Sequence, residues 1–107
     1  MLFRSLHSLG AKQIIVDPGF GFGKTLQHNL QLLRGLHLFS ALNCPILAGL
    51  SRKKTLQMLV DRDATETLNA TTVANTIALM NNASILRTHD VREAKEAVKI
   101  VSAMNHA

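Results

Sequence analysis

The sequence predicts an α/β fold made of parallel βαβ units. Three short apolar segments begin near residues 13, 45 and 83, and segments with helical periodicity lie between them. Each apolar segment ends at polar or charged residues, which is typical of a buried strand. Since strands that alternate with helices form a parallel sheet with right-handed crossovers, their carboxyl ends are expected to meet at one edge.

The composition indicates one globular domain over residues 1–107, without a linker or a domain boundary. Hydrophobic residues make up 47% of the chain, which excludes a disordered protein. The single cysteine, Cys44, excludes an internal disulfide framework and fits a reducing compartment, so a cytoplasmic location is expected. No apolar run approaches the ~18 residues that span a membrane, and no signal-peptide core follows Met1. We therefore expect no membrane association.

The net charge of +5 favours a site for small anions over a nucleic-acid surface. Trp and Tyr are absent, and no basic run is longer than Arg52-Lys53-Lys54. A nucleic-acid-binding domain would concentrate positive charge on one face and supply aromatic side chains for stacking. Small-molecule partners are therefore expected, and nucleic acid is not.

The chain begins with apolar residues at helical spacing over residues 1–9, followed by Gly10 as a helix stop. A domain rarely begins inside an uncapped helix, so the sequence is expected to start within a longer domain. The first strand is predicted at residues 13–17. It ends at Asp17, and Pro18 and three glycines at alternate positions then predict a tight loop.

Neither of two common phosphate-binding motifs matches this loop. A Walker A loop requires glycine where Pro18 stands, and the dinucleotide fingerprint requires glycine where Lys24 stands. The residues of the loop are equally compatible with a ligand site and with a structural turn that Asp17 caps.

A helix is predicted over residues 25–42, where leucines and Phe39 recur every three or four positions. Gly35 should weaken this helix slightly, and Asn43 should end it in a left-handed conformation. The second strand follows at residues 45–50.

Two helices are predicted between the second strand and the third strand at residues 83–88. The second of these helices opens at Asp63-x-x-Glu66, which is typical of a capping box. Its small-residue stripe consists of Ala70, Ala74 and Ala78. The last helix opens at a similar pattern, Asp90-x-x-Glu93, and is expected to bury one apolar face. The residues of that face are Val91, Ala94, Val98, Val101 and Met104.

Polar residues follow all three predicted strands and should converge on one face. In strand order they are Asp17, then Ser51, Arg52 and Lys53, and then Arg87 and His89. Arginine binds phosphate through two parallel hydrogen bonds and lysine acts as a point charge, so the set suits an anionic ligand. Arg87 is the hardest to explain as structure, because an unpaired buried charge is expensive. Ser51 can equally cap the next helix. The other histidines show no metal-ligand spacing.

Three motifs, in register over nearly the whole chain, closely resemble dihydropteroate synthase of the folate pathway. They read Asp17-Pro-Gly-Phe-Gly-Phe-Gly-Lys24-Thr25, Pro45-x-Leu-x-Gly49-x-Ser51-Arg52-Lys53 and Arg87-x-His89-Asp90-Val91. The resemblance implies a (β/α)₈ TIM barrel, of which this chain would hold the last three strands and their helices. It also implies a transferase of the type that sulfonamides target, which condenses 6-hydroxymethyl-7,8-dihydropterin pyrophosphate with p-aminobenzoate, giving 7,8-dihydropteroate and pyrophosphate.

The resemblance also implies roles for individual residues. The pterin-binding aspartate of the family falls on Asp17, the lysine that contacts the pterin on Lys53, and the glycine beneath the pterin on Gly49. The positions around the aminobenzoate fall on Phe22, Ser51 and Arg52.

The residues that hold the departing pyrophosphate in the family fall on Arg87 and His89. Lys53, Arg87 and His89 are therefore the predicted catalytic residues. The resemblance makes the amine of p-aminobenzoate the nucleophile, so no covalent enzyme nucleophile is expected.

The chain departs from the family pattern chiefly in its length. A complete barrel typically has ~250 residues, and the family's N-terminal segment that helps to bind pyrophosphate and Mg²⁺ has no counterpart in this sequence. Mg²⁺ is thus an expected cofactor whose protein ligand lies outside the chain. Thr88 replaces a usual valine and adds a hydroxyl group. The full-length family is expected to be homodimeric, and this chain, with open sheet edges, is expected to oligomerise.

Two alternative interpretations are left open by the sequence. One is a non-catalytic half-barrel that associates with itself or with a separate N-terminal piece. The other is a pterin-binding methyltransferase, which would share Asp17 but would not need the polar groups after the second and third strands.

Overall fold

The computed structural model describes residues 13–21 and 23–107. The helix predicted over residues 1–9 and the predicted site residue Phe22 lie outside the described residues.

The described sheet has two parallel strands, β1 (Leu47–Ala48) and β2 (Ile85–Leu86). On the other side of β1, Val16 forms a single parallel bridge to Ile46. The predicted second and third strands are therefore confirmed as parallel neighbours, although both are shorter than predicted. Of the first strand predicted at residues 13–17, only Val16 pairs with a neighbour, through this single bridge.

Backbone hydrogen bonds continue the pairing beyond the strands themselves. The Val16 N–H donates to the Pro45 carbonyl at 2.9 Å, and the Leu47 N–H donates to the Val16 carbonyl at 2.8 Å. Pro45 has no N–H to return, which limits the ladder at this end. On the opposite side of β1, the Arg87 N–H donates to the Ala48 carbonyl at 3.1 Å. This bond carries the alignment up to the residues predicted to form the site.

Helix α1 (Leu26–Arg34) begins where the Thr25 side chain accepts a hydrogen bond from the His28 N–H at 3.1 Å. It ends at Gly35, and a 3₁₀ helix over Leu36–Leu42 follows. The prediction of one continuous helix over residues 25–42 is therefore wrong. Glycine is a poor helix former, so the α-helical hydrogen bonding breaks there. The predicted left-handed stop at Asn43 is confirmed, with φ of 55°.

Helices α2 (Lys54–Val60) and α3 (Leu68–Met80) lie between the two strands, and a 3₁₀ turn (Ala64–Glu66) separates them. Asp63 caps this 3₁₀ turn through the Thr65 N–H rather than α3 itself. The capping residue was therefore predicted correctly, but the helix that it opens was not.

Helix α4 (Val91–Asn105) packs along α3. Both helices bury alanines, whose small side chains allow close packing. The buried alanines are Ala74 and Ala78 on α3 and Ala94 and Ala97 on α4.

The predicted buried face of α4 is only partly right. Ala94 and Val101 are buried, but the other three residues of that face are exposed by between 44% and 60%. They are Val91, Val98 and Met104. Val91 and Val98 line an apolar groove beside Leu86 that no described residue fills.

The core lies between β1 and the helices α1 and α3. Its most deeply buried large side chains are Leu36, Ile46 and Leu50. Phe20 joins them from the glycine-rich loop at 2% exposure, so this loop is anchored to the core. Among the described residues, no helix has the length and apolar character needed to cross a membrane.

Candidate functional site

Residues that follow β1 and β2 line a cavity of about 160 Å³ at the carboxyl ends of the strands. They are Gly49, Ser51, Lys53, Arg87, Thr88 and His89. Parallel pairing of the two strands brings these two segments together, as the sequence predicts.

Arg87 crosses the strand end and pairs with Asp17 beside the cavity. Its Nη1 lies 3.3 Å from Asp17 Oδ2, and the two side chains are 55% and 35% exposed. A Cβ atom at Gly49 would lie 2.5 Å from Arg87 Nη2, so glycine is needed for the guanidinium to lie where it does. The other carboxylate oxygen of Asp17 accepts the Gly19 N–H at 3.0 Å. Asp17 thus serves as a turn cap and as an ion-pair partner.

Lys53 reaches back from the start of α2 to the glycine-rich loop. Its Nζ donates to the Phe20 carbonyl at 2.7 Å. Burial lowers the pKa of Lys53, and the positive charge of Arg87 lowers it further, whereas Asp17 acts in the opposite direction. An anion bound in the cavity would offset the cost of keeping this ammonium charged.

The glycine-rich loop is held in place by Asn29 of α1. The Asn29 side chain is 3% exposed, and its Oδ1 accepts the Gly21 N–H at 2.8 Å. Lys24 closes the loop from the other side, since its Nζ donates to the Gly19 carbonyl at 2.9 Å. Gly19 and Gly21 have φ of 78° and 89°, which side chains rarely tolerate. No role was predicted for Asn29, although its place on the same helical face as the apolar Leu26 and Leu33 was the signal available.

Ser51 and His89 form the contact between the two strand ends. The Ser51 Oγ lies 2.7 Å from His89 Nδ1 and accepts the His89 backbone N–H at 3.0 Å. The Thr88 hydroxyl donates to the same oxygen at 3.4 Å. Ser51 is buried and His89 is exposed, so the histidine ring is supported on its inner side.

Arg52 is directed away from this cavity. Its Nε and Nη2 donate to the two oxygens of Asp90 at 3.0 and 2.9 Å, and its Nη1 donates to the Ala64 carbonyl at 2.6 Å. The hydrogen bond from Arg52 lowers the pKa of Asp90. Asp90 makes no side-chain capping bond to α4, so its predicted role in a capping box is wrong. The arginine, 38 residues away in sequence, takes up both carboxylate oxygens instead.

The backbone of Arg52 is itself unusual. Its φ of 55° is left-handed, which is uncommon for a residue with a long side chain. Its N–H donates to the buried Thr71 hydroxyl at 3.0 Å, and its carbonyl accepts the Gln57 side-chain amide at 2.9 Å. These bonds hold the turn from which Ser51 and Lys53 face the cavity.

A family model described as pterin binding enzyme matches residues 5–89 of the chain. The chain belongs to the pterin binding enzyme family. The matched region ends at His89 and therefore contains every residue of the candidate site, from Asp17 to His89.

Individual members of the pterin binding enzyme family support this assignment. Dihydropteroate synthase of Escherichia coli is 41% identical over 95 residues, which cover 89% of this chain and 34% of that protein. A Yersinia pestis dihydropteroate synthase structure with a pterine-sulfa conjugate superposes with a TM-score of 0.93 at 36% identity, covering 98% of this chain and 42% of that one.

A Thermus thermophilus dihydropteroate synthase in complex with 4-aminobenzoate gives a TM-score of 0.87 at 44% identity, over 94% of this chain and 39% of that chain. The α/β fold therefore matches that of solved enzymes of the family. The chain spans about a third of the length of the curated relatives it matches.

Within this member of the pterin binding enzyme family, six of the eight site residues predicted from sequence lie together at the strand ends. They are Asp17, Gly49, Ser51, Lys53, Arg87 and His89. Arg52 is turned toward Asp90, and Phe22 lies outside the described residues. Within residues 13–21 and 23–107, no cluster of three or more His, Cys, Asp or Glu side chains is suited to a metal ion.

Proposed function

We propose that this chain forms the C-terminal part of a dihydropteroate synthase, with the last three strands of a (β/α)₈ barrel. The reaction joins 6-hydroxymethyl-7,8-dihydropterin pyrophosphate to p-aminobenzoate and releases pyrophosphate. The proposal is carried by the convergence of Asp17, Lys53, Arg87 and His89 around one cavity at the strand ends. In this reaction the amine of p-aminobenzoate attacks the pterin methylene, and the C–O bond to pyrophosphate breaks.

Asp17 and Lys53 are proposed to bind the pterin. An ionised carboxylate can accept two N–H bonds from the 2-amino pyrimidine edge of a pterin. Asp17 is only partly exposed and is already oriented by the Gly19 N–H, so little reorganisation is needed. Lys53 is partly desolvated beside it, which strengthens a hydrogen bond from its ammonium to a ring acceptor.

Arg87 and His89 are proposed to hold the departing pyrophosphate. Negative charge grows on the leaving oxygen as the bond breaks, and donors placed there in advance stabilise it. Arg87 is more than half exposed, so its guanidinium can reach a ligand while Asp17 keeps it oriented. His89 presents its ring at the same cavity.

Ser51 and Arg52, together with Phe22, are proposed to border the p-aminobenzoate. The buried Ser51 hydroxyl lies at the cavity itself. For Arg52 the role is a prediction from the family, because its guanidinium donors are taken up by Asp90 and the Ala64 carbonyl. A pterin-binding methyltransferase would not need a p-aminobenzoate pocket, so p-aminobenzoate binding separates the two activities.

The described residues do not fit the Mg²⁺ expected for the family. Mg²⁺ is usually held by one or two carboxylates together with phosphate oxygens. Asp17 is the carboxylate at the cavity, and both of its oxygens have partners in Gly19 and Arg87. The metal ligand is therefore expected outside this chain.

We also propose a cytoplasmic location, because the chain has a single cysteine and reduced thiols are usual in that compartment.

A non-catalytic half-barrel is the second candidate function. It is favoured by the apolar surface on α3 and α4, where Val73, Val91 and Ile100 are 52%, 60% and 69% exposed. Such a protein would associate with itself or with a separate N-terminal piece and would form no dihydropteroate.

The test is turnover by the protein in the length that its own cells contain. Lys53→Ala and Arg87→Ala should each lower kcat/KM for dihydropteroate formation by ~10²–10³-fold, as loss of an electrostatic stabiliser does. The matched controls, Lys54→Ala and Arg92→Ala, remove exposed charges of the same kind and should have no effect. Unchanged turnover in both site variants, or no dihydropteroate from the wild-type protein, would reject the proposed function.

A further inference from the structure

Ser51 after β1 and Thr88 and His89 after β2 form a directional chain of hydrogen bonds. The Asp90 backbone N–H can only donate, and Thr88 Oγ1 accepts it at 3.2 Å. The Thr88 hydroxyl proton is then available for Ser51 Oγ, which lies 3.4 Å away. The His89 backbone N–H also can only donate, and it reaches the same Ser51 oxygen at 3.0 Å.

With the Thr88 hydroxyl as donor to Ser51 Oγ, the proton of Ser51 has one remaining acceptor among these groups. Both lone pairs of its oxygen face donors, namely the Thr88 hydroxyl and the His89 N–H. His89 Nδ1 lies 2.7 Å away, so the Ser51 hydroxyl donates to it. A neutral imidazole carries a single proton, and an Nδ1 that accepts leaves that proton on Nε2.

We propose that Ser51 and Thr88 are positioning residues that hold His89 as the neutral tautomer with its proton on Nε2. The ring then offers an N–H donor to an anionic ligand on the side away from Ser51. The identity of that anion as the pyrophosphate group rests on the proposed function, but the tautomer does not. Thr88 supplies a hydroxyl that the valine expected at this position from the family resemblance would lack.

His106 is expected to hold the opposite tautomer, with its proton on Nδ1. His106 Nδ1 lies 2.7 Å from the Ser102 carbonyl oxygen. A carbonyl can only accept, so His106 Nδ1 must carry the proton. His28 and His37 are exposed and serve as references for histidines without an imposed tautomer.

The experiment is a two-bond ¹H–¹⁵N correlation spectrum of the intact protein labelled with ¹⁵N-histidine. At a pH of about 8.5, well above the ordinary pKa of histidine, the protonated and unprotonated ring nitrogens resonate far apart. For His89 we expect Nε2 at the protonated position and Nδ1 at the unprotonated position, with a wider separation than in His28 and His37. For His106 we expect the reverse assignment. A protonated Nδ1 in His89 would overturn the proposal.

Three variants test whether the two hydroxyls cause the tautomer. Ser51→Ala should narrow the separation between the two His89 resonances, because both tautomers become populated. Thr88→Val should do so in part, and Thr88→Ser should restore the wild-type spectrum. Thr72→Val is the matched control, since the Thr72 hydroxyl bonds only to the Leu68 carbonyl within α3. If Ser51→Ala does not fold, Thr88→Val decides, and an unchanged His89 spectrum rejects the proposal.

Inorganic pyrophosphate, added to the wild-type sample, separates this inference from the proposed function. A shift of His89 Nε2 on addition, with the tautomer as expected, supports both. The expected tautomer without such a shift supports the inference and counts against the function. A shift with Nδ1 protonated supports the function and overturns the inference.

Discussion

The contact between Gly49 and Arg87 shows how one missing methyl group shapes the site. The guanidinium of Arg87 lies so close to the Gly49 backbone that a Cβ would meet Nη2 at 2.5 Å and Cζ at 3.0 Å. Arg87 therefore runs flat across the strand end to Asp17, 3.3 Å away. A role for Gly49 was predicted only from the family resemblance. The physical reason for glycine at this position becomes visible only when β2, which leads into Arg87, lies beside β1.

Gly49→Ala should weaken anion binding while leaving the charge of Arg87 in place. The alanine methyl group displaces a flexible, half-exposed side-chain end, so we expect little change in thermal stability. A charge-assisted hydrogen bond contributes about 1.5–3 kcal/mol, so pyrophosphate affinity should fall about tenfold or more. Isothermal titration calorimetry measures the affinity, with Gly35→Ala, far from the cavity, as the control. Equal affinities in both variants would contradict this account of Gly49.

Among the secondary-structure elements, α2 and α4 are tied together through Arg52 and Asp90. The pair bonds through two parallel contacts of 3.0 and 2.9 Å, and its side chains are only 23% and 16% exposed. Arg52 lies just before α2 and Asp90 just before α4, so their pairing sets how the two helix starts face the cavity. Thr71 of α3 supports the same turn through the Arg52 N–H.

Asp90→Asn should lower the free energy of unfolding in a pH-dependent way. The pKa of Asp90 is lowered in the folded protein, chiefly by its hydrogen bond from Arg52. The stability that it contributes is therefore fully present above about pH 4, the ordinary range of an aspartate, and is lost as the pH falls through the lowered pKa. Urea unfolding should show a gap between wild type and variant at pH 7 that closes in acid.

Glu66→Gln is the control for Asp90→Asn, because Glu66 pairs with Arg62 at the surface, where the two side chains are 57% and 61% exposed. Such a surface pair contributes little. A gap as large in this control, or a gap for Asp90→Asn that does not depend on pH, would show that Arg52 and Asp90 do not act as a stabilising ion pair.

At the scale of the whole molecule, the described residues include many large apolar side chains that are exposed. Large side chains on α3 and α4 are exposed, among them Ile77, Met80 and Val98. An apolar groove also runs beside Leu86, where no described residue pairs with the outer edge of β2. Exposed apolar side chains and an unpaired strand edge favour association.

We expect the 107-residue chain to associate with itself in solution. Sedimentation velocity should give masses that are multiples of 11.7 kDa and that rise with concentration, and the thermal midpoint should rise with them. Val98→Glu places a charge in the groove beside Leu86 and should lower the associated fraction. Ser102→Glu, at an exposed position of the same helix outside the groove lining, tests the effect of the added charge alone. A monomer with a concentration-independent midpoint would rule out association.

The sequence alone was sufficient for the features that depend on local chemistry and periodicity. The parallel order of β1 and β2, the left-handed Asn43 and the polar residues at the strand ends all follow from short-range patterns, and so they could be predicted. Only the tertiary structure decided the partner of Asp90, the place of Arg87 over Gly49, and which valines of α4 are buried. These depend on residues tens of positions apart in sequence, and each outcome is set by which neighbour the fold brings within hydrogen-bond or van der Waals distance. The helix break at Gly35 depended on both. The sequence shows that glycine lowers helix stability at this position, but tertiary packing decides whether the α-helix continues through it.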